Sequence, residues 1–258
     1  MKFSTLRTPM FGFFLLTLAV SKCDHSNFKM CSSYTSQKQY SYAMFVQTWP
    51  GSFCSDKCCI IPTESSGLEE GFTIHGFWPQ YSGNSYPSCC ANDFTDKQVE
   101  SMLLADPVLT NDVATYWGSM KKCRFAMYEW SKHGTCASWA YTGSTGPIDY
   151  LRAGVDMRKN LNIWTKFKEE GVVADGKTKF DKEWLLDIAE KHYGARGFFT
   201  CSSNSVSEFR MCTKLDSSNK MKPEYFDCPA DLVSSSQCGA SISFKTFPKV
   251  TTKGPCTY

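Results

Sequence analysis

The sequence predicts an α+β fold. Strand-like and helix-like segments alternate irregularly, with no run of strand–helix–strand units. Neither an internal repeat nor a low-complexity tract divides the chain. Its 258 residues include 14 cysteines and 15% aromatics, enough for one disulfide-stapled domain with a sizeable core.

The N-terminus has the plan of a secretory signal. Lys2 and Arg7 form a positive end, Phe11 to Val20 a short apolar stretch, and Ala19 and Ser21 the small residues before a cut after Ser21. The apolar stretch is too short to span a bilayer comfortably, and no later segment is longer. Residues 1–21 are therefore expected to be a signal peptide and 22–258 one mature domain without a membrane span. Residues 22–39 are polar and read as an irregular arm held by Cys23 and Cys31.

Tyr40 to Trp49 reads as a buried strand ended by Pro50-Gly51. Phe72 to Trp78 is a second strand running into a loop at Pro79. Thr95 and Gln98 have capping-box spacing, with Val99, Met102 and Leu103 on the apolar face behind them, and Asp106-Pro107 stops that helix. Further helices are expected from Ile148 through Leu151 and Val155, and through Trp164 and Phe167 to Gly171. Asp181 is placed to cap a third, with Trp184, Leu185 and Ile188 inward and Gly194 at its end. Strands are expected at Phe199–Cys201, Phe209–Leu215 and Ile242–Phe247.

The formal charge is +3, and loss of residues 1–21 removes Lys2 and Arg7 but no acid. A balance so near neutral argues against grip on nucleic acid by bulk charge, although a few local cations can still serve. The cysteines are not spaced as zinc ligands; Cys58-Cys59 and Cys89-Cys90 are adjacent pairs whose members each pin a different part of the chain. No Asn-x-Ser/Thr sequon occurs, so N-glycosylation is not expected.

Only four histidines are present, and two sit in unusual company: Phe72-Thr73-Ile74-His75-Gly76-Phe77-Trp78-Pro79 and Glu129-Trp130-Ser131-Lys132-His133-Gly134-Thr135-Cys136. On a helix, Glu129, Lys132 and His133 share one face. The Glu–Lys spacing alone is that of an ordinary surface salt bridge; an imidazole and flanking aromatics turn it into a candidate site. Two imidazoles near their own pKa suit cleavage of RNA. One takes a proton from the 2′-hydroxyl as it attacks phosphorus, and the other returns one to the leaving 5′-oxygen. A lysine stabilises charge on the phosphoryl oxygens. DNA lacks the 2′-hydroxyl and is excluded, and the chemistry needs no metal or other cofactor. A metal site on His75, His133 and Glu129 is the alternative, disfavoured by the ammonium of Lys132 on the same face. An inactive scaffold acting as a binding or signalling protein is another, disfavoured by both histidines being present.

The two segments resemble the two active-site signatures of the ribonuclease T2 family, approximately FTIHGLWP and HEWxKHGTC. Phe45 to Cys54 is similar to the family's early strand, and matches extend from Tyr40 to about Phe247. The resemblance implies a mainly antiparallel central sheet with flanking helices. It implies a secreted endoribonuclease, extracellular, lysosomal or vacuolar and a monomer, with RNA as substrate and a 2′,3′-cyclic phosphate as first product. By this resemblance His133 is the general base, His75 the general acid, and Glu129 and Lys132 support the imidazoles and the phosphate. Trp78, Phe125 and Gln47 correspond to base-site residues, and Tyr86 is a further candidate platform. One departure stands at Tyr128, where the family commonly carries a histidine for substrate phosphate; a phenol brings one hydrogen bond and no positive charge near neutral pH. The family's disulfide framework implies Cys54–Cys58, Cys59–Cys123, Cys90–Cys136, Cys201–Cys238 and Cys212–Cys228, leaving Cys23, Cys31, Cys89 and Cys256 unassigned. His25 and His192 read as surface and helix-end residues, and Trp49, Trp130, Trp164 and Trp184 as core.

Overall fold

A computed structural model describes residues 24–36, 40–55, 58–82, 85–215 and 217–258. The expected signal peptide and Cys23 lie outside the described residues. The elements run β1 (Tyr42–Thr48), α1 (Pro50–Phe53), β2 (Thr73–Gln80), α2 (Asp96–Leu104), α3 (Pro107–Tyr116), α4 (Phe125–Lys132), α5 (Gly146–Asn160) and α6 (Ile163–Glu169). They continue with β3 (Phe180–Asp181), α7 (Lys182–Tyr193), β4 (Phe198–Ser202), β5 (Ser205–Lys214), β6 (Glu224–Phe226), α8 (Ala230–Ser234) and β7 (Ser241–Ile242).

The five-stranded sheet has the order β2-β1-β5-β4, with β6 on the far half of β5, and every pairing is antiparallel. Strand β1 is buried on both sides, which explains its near-continuous apolar letters. Ala43 and Phe45 enter the main core beneath the helices, with Trp49, Phe72, Phe77, Trp117 and Trp130. Tyr42, Met44 and Val46 enter a smaller cluster with Phe198, Cys212 and Leu232 of α8. The alternation of strand side chains thus divides one segment between two layers.

Thr95 forms a full capping box with Gln98 at the start of α2. Asp106-Pro107 ends that helix and also begins another. Asp106 accepts a hydrogen bond from the Leu109 N–H at 3.0 Å, and Pro107 opens α3, a helix the sequence reading missed. Pro50 likewise ends β1 and opens the short α1. Pro79 stays within β2, on the sheet's edge, where its missing N–H costs no ladder bond. Asp181 caps α7 and Gly194 closes it in the left-handed region at φ 73°. Trp184 is not inward: it is 37% exposed and stacks on Phe180, because Leu185, Leu186, Ile188 and Ala189 form the buried stripe. The expected strand Ile242–Phe247 is a strand only over Ser241–Ile242, with a single parallel bridge from Ser243 to Ser205 beyond it, and the Lys245 carbonyl accepts from Trp49 Nε1 at 2.8 Å.

The structure bonds Cys90 to Cys136, Cys201 to Cys238 and Cys212 to Cys228. Two expected pairings are corrected. Cys54 bonds Cys59 rather than Cys58, and Cys123 bonds Cys256 rather than Cys59. The cause is the C-terminal segment, which runs beside residues 60–64 through Ile61 N–H to Thr252 O and Thr63 N–H to Cys256 O. That register brings the Cys256 and Cys123 Cα atoms to 5.0 Å, within disulfide reach, and leaves Cys59 for Cys54 at 5.8 Å. Cys58 is also disulfide-bonded, and Cys31 pins the N-terminal arm to Cys89. No helix of the described residues is long and apolar enough to cross a membrane.

Candidate active site

Two irregularities in the sheet build one side of the site. Along β2, Ile74 pairs with Gln47 and Gly76 with Val46, so His75 is the extra residue of a β-bulge. Along β5, Thr200 pairs with Glu208 and Cys201 with Val206, so Ser207 is the extra residue of a second bulge. Bulges turn side chains out of the regular alternation. Here they bring His75 Nδ1 to 2.5 Å from Glu208 Oε1. The other Glu208 oxygen accepts from Arg210 Nη2 at 2.6 Å, Arg210 Nε at 3.0 Å and Thr200 Oγ1 at 3.4 Å. Trp117 Nε1 donates to the His75 carbonyl at 3.0 Å and fixes the backbone behind the ring.

Helix α4 supplies the facing side. Arg124 precedes it in the left-handed region, φ 66°, held by paired 2.8 Å bonds to Glu100. Ala126, Met127 and Trp130 enter the core, which leaves Tyr128, Glu129 and Lys132 toward the cleft and His133 at the helix end. The Cys90–Cys136 bond and the Cys89 N–H to Lys132 carbonyl bond, 2.7 Å, tie the loop after β2 to that end.

Trp78 joins the two sides. Its indole lies 4.8 Å from the His75 ring, edge-on, and 5.0 Å from the His133 ring, stacked. Its Nε1 donates to Glu129 Oε2 at 2.6 Å, and Glu129 Oε1 is 4.0 Å from His75 Nε2. A Cβ at Gly76 would collide with that indole nitrogen and that carboxylate, so only glycine leaves room for the contact. Glu129 therefore serves Trp78 and His75 rather than forming an ion pair with Lys132. The Lys132 ammonium instead lies 5.6 Å over the Tyr128 ring, which also stacks on Phe28 at 4.8 Å.

The electrostatics of the two imidazoles are opposite. Burial alone would lower His75, but the Glu208 hydrogen bond and the charges of Glu129 and Glu208 outweigh it, and its pKa is raised. His133 is only 3% exposed. Burial, then Lys132, then His75 lower its pKa to about 3, and its Nδ1 has no partner among the described residues. Burial raises Glu129 to about 7 against the pull of His75, Trp78 and Lys132. Glu208 is held at about 2, because His75 and Arg210 overcome its burial.

These groups line one cleft of about 990 Å³. Its described lining carries Lys121, Lys122, Lys132, Arg210 and Lys245 against only Glu129 and Glu208, a local excess of positive charge that the near-neutral whole conceals. Phe125 reaches the cleft with its ring 5.7 Å from that of His75, and Tyr86, 50% exposed, lies 5.6 Å from the ring of His133. Gln47 does not line the cleft. It is fully buried on the opposite side of β1 from Thr48, and both amide atoms lack partners among the described residues. His25 and His192 stand apart from the cleft lining. Among the described residues no three His, Cys, Asp or Glu side chains converge as metal ligands. Sequence reasoning missed Glu208, Arg210 and Thr200; no local motif marks them, because only strand pairing and a bulge bring them to His75.

A family model described as the ribonuclease T2 family matches residues 40–228. Ribonuclease DdI of Dictyostelium discoideum is 31% identical to this chain, over 80% of it and 84% of the relative. Extracellular ribonuclease LE of Solanum lycopersicum is 26% identical, over 92% of this chain and 97% of the relative. The solved structure of an RNase-related protein from Calystegia sepium superposes with a TM-score of 0.62 at 23% identity, covering 82% of this chain and all of the other.

Proposed function

The chain belongs to the ribonuclease T2 family, and from that premise we propose that it is a secreted endoribonuclease whose reaction is an acid–base relay between His133 and His75. His133, neutral in its buried site, takes the proton of the 2′-hydroxyl. The 2′-oxygen then bonds to phosphorus, the bond from phosphorus to the 5′-oxygen breaks, and His75 Nε2 gives that oxygen its proton. The products are a 2′,3′-cyclic phosphate and a free 5′-hydroxyl. Water can open the cyclic ester with the two roles exchanged.

The observation that carries this reading is two imidazoles placed against a single indole in opposite surroundings, His75 bonded to a carboxylate that raises its pKa and His133 buried beside an ammonium that lowers it. Glu208 occupies Nδ1 of His75, which leaves Nε2 as the proton donor. Lys132, with no ion-pair partner among the described residues, supplies the charge for the phosphoryl oxygens. A bound phosphodiester offsets the Lys132 charge that depresses His133, and so raises the basicity of His133 when substrate is present. Trp78 and Tyr86 offer ring faces for the base on the His133 side, and Phe125 one for the base on the His75 side. The 2′-hydroxyl requirement confines the substrate to RNA, and an unstacked single strand fits an aromatic-lined cleft. Export is supported by the N-terminal sequence and by disulfides such as Cys201–Cys238, and the chain is read as acting as a monomer.

The test is cleavage of a single-stranded oligoribonucleotide in excess chelator, by the wild type and by His75→Ala and His133→Ala. Chelator-resistant cleavage to a cyclic phosphate, abolished by either substitution, is expected. Activity that vanishes with chelator, or survives both substitutions, refutes the relay.

A further inference from the structure

The cleft extends past the reacting pair on the Glu208 side. There α1 contributes Ser52, the turn after it Ser55, the β4–β5 hairpin Thr200, Ser202 and Ser207, and the C-terminal segment Lys245. The Lys245 ammonium donates to Ser55 Oγ at 3.1 Å and has no carboxylate partner among the described residues. The one described carboxylate of this flank, Glu208, is already taken by His75 and Arg210. Ser52, Ser55 and Thr200 already donate their protons to the Val206 carbonyl, the Ser52 carbonyl and Glu208, so the donors this flank offers a phosphodiester are the unneutralised ammonium of Lys245 and the Ser202 and Ser207 hydroxyls. Lys245 lies beyond the segment matched by the family model, whereas the hydroxyl-bearing residues of this flank lie within it.

We propose that Lys245 and the neighbouring hydroxyls form a second phosphate subsite, which holds the first phosphate downstream of the cleavage point. The polarity rests on the function proposed above. His75 protonates the leaving 5′-oxygen, so the nucleotide carrying that oxygen lies on the His75 side. Its own 3′-phosphate then continues toward Ser55 and Lys245. The enzyme gains binding energy from a phosphate that takes no part in bond exchange, and favours a chain over a dinucleotide.

The experiment compares a dinucleoside monophosphate with the same molecule bearing a 3′-phosphate, for the wild type, Lys245→Gln and Lys245→Arg. At low salt the added phosphate is expected to raise wild-type kcat/KM by about five- to tenfold, an effect that fades as salt rises. Lys245→Gln should lose that gain, leave the dinucleoside monophosphate rate unchanged, and recover the gain as Lys245→Arg. An equal gain in wild type and Lys245→Gln, or none in the wild type, overturns the subsite. Non-cleavable 2′-deoxy versions of both ligands, read by direct binding, pose the question without turnover. A Lys245-dependent preference for the 3′-phosphate in binding supports the subsite even if neither ribonucleotide is cut, an outcome that would instead sink the proposed function.

Discussion

His75 and His133 are the same side chain in two surroundings, and the cleft is the meeting of those surroundings. His75 stands on a bulged strand, a third of its side chain exposed, with a carboxylate against Nδ1 and a second at 4.0 Å from Nε2. His133 ends a helix, is almost wholly buried, and has an ammonium as sequence neighbour and, among the described residues, no bond at Nδ1. The sheet side therefore favours the imidazolium and the helix side the neutral ring. In the proposed relay, acid and base would be separated by packing and by neighbouring charge, with no difference in the residue itself.

The comparison is broken most severely by removing either ring. His133→Ala and His75→Ala should each lower kcat by about 10²–10⁴-fold, and the double variant should cost little more than the worse single one, as for groups that act as a unit. Additive losses in a single-turnover assay would mean that the two sides work independently. Next in size is Lys132→Ala, expected to lower kcat by about 10²–10³-fold with a smaller change in KM. The same change relieves part of the charge that holds His133 low, so the acid limb of the pH profile should move upward. An unmoved limb would leave burial and the charge of His75 as the causes.

Glu208→Gln sharpens the contrast from the sheet side. It should lower kcat by about 10- to 100-fold, as expected for a lost orienting partner. The sign of its pH effect follows from the acid's requirement for a proton. With Glu208 present the His75 pKa is raised, so activity persists to higher pH before His75 deprotonates. Without that charge the alkaline limb of kcat/KM should shift to lower pH while the acid limb stays. A merely structural role would lower the rate without moving the limb. The smallest effect is expected for Tyr128→His, which adds a titratable cation beside Lys132. KM should fall by about two- to fivefold at acidic pH, with little gain in turnover. A KM that does not change would argue against a phosphate at this position.

Local chemistry was legible in the letters. The capping box at Thr95, the Asp181 cap with Gly194 as terminator, and the spacing of Glu129, Lys132 and His133 all depend on residues within a turn or two of one another. The α3 helix escapes a reading of Asp106-Pro107 as a stop, because the same pair is also a helix start. Trp184 departs from the inward face expected of it because the buried stripe of its helix starts one residue later, and its indole stacks on Phe180 at the rim.

By itself the sequence determined the α+β class, the presence of two histidine-bearing segments and the helical face of one of them, because periodicity and capping act over a few residues. Only the tertiary structure decided the rest. It set the partners of Cys54 and Cys123, the turning of Glu208 onto His75, and the cation excess of the cleft. Each of these depends on strands or tails far apart in the chain being brought into register, and no short pattern of letters encodes that distance.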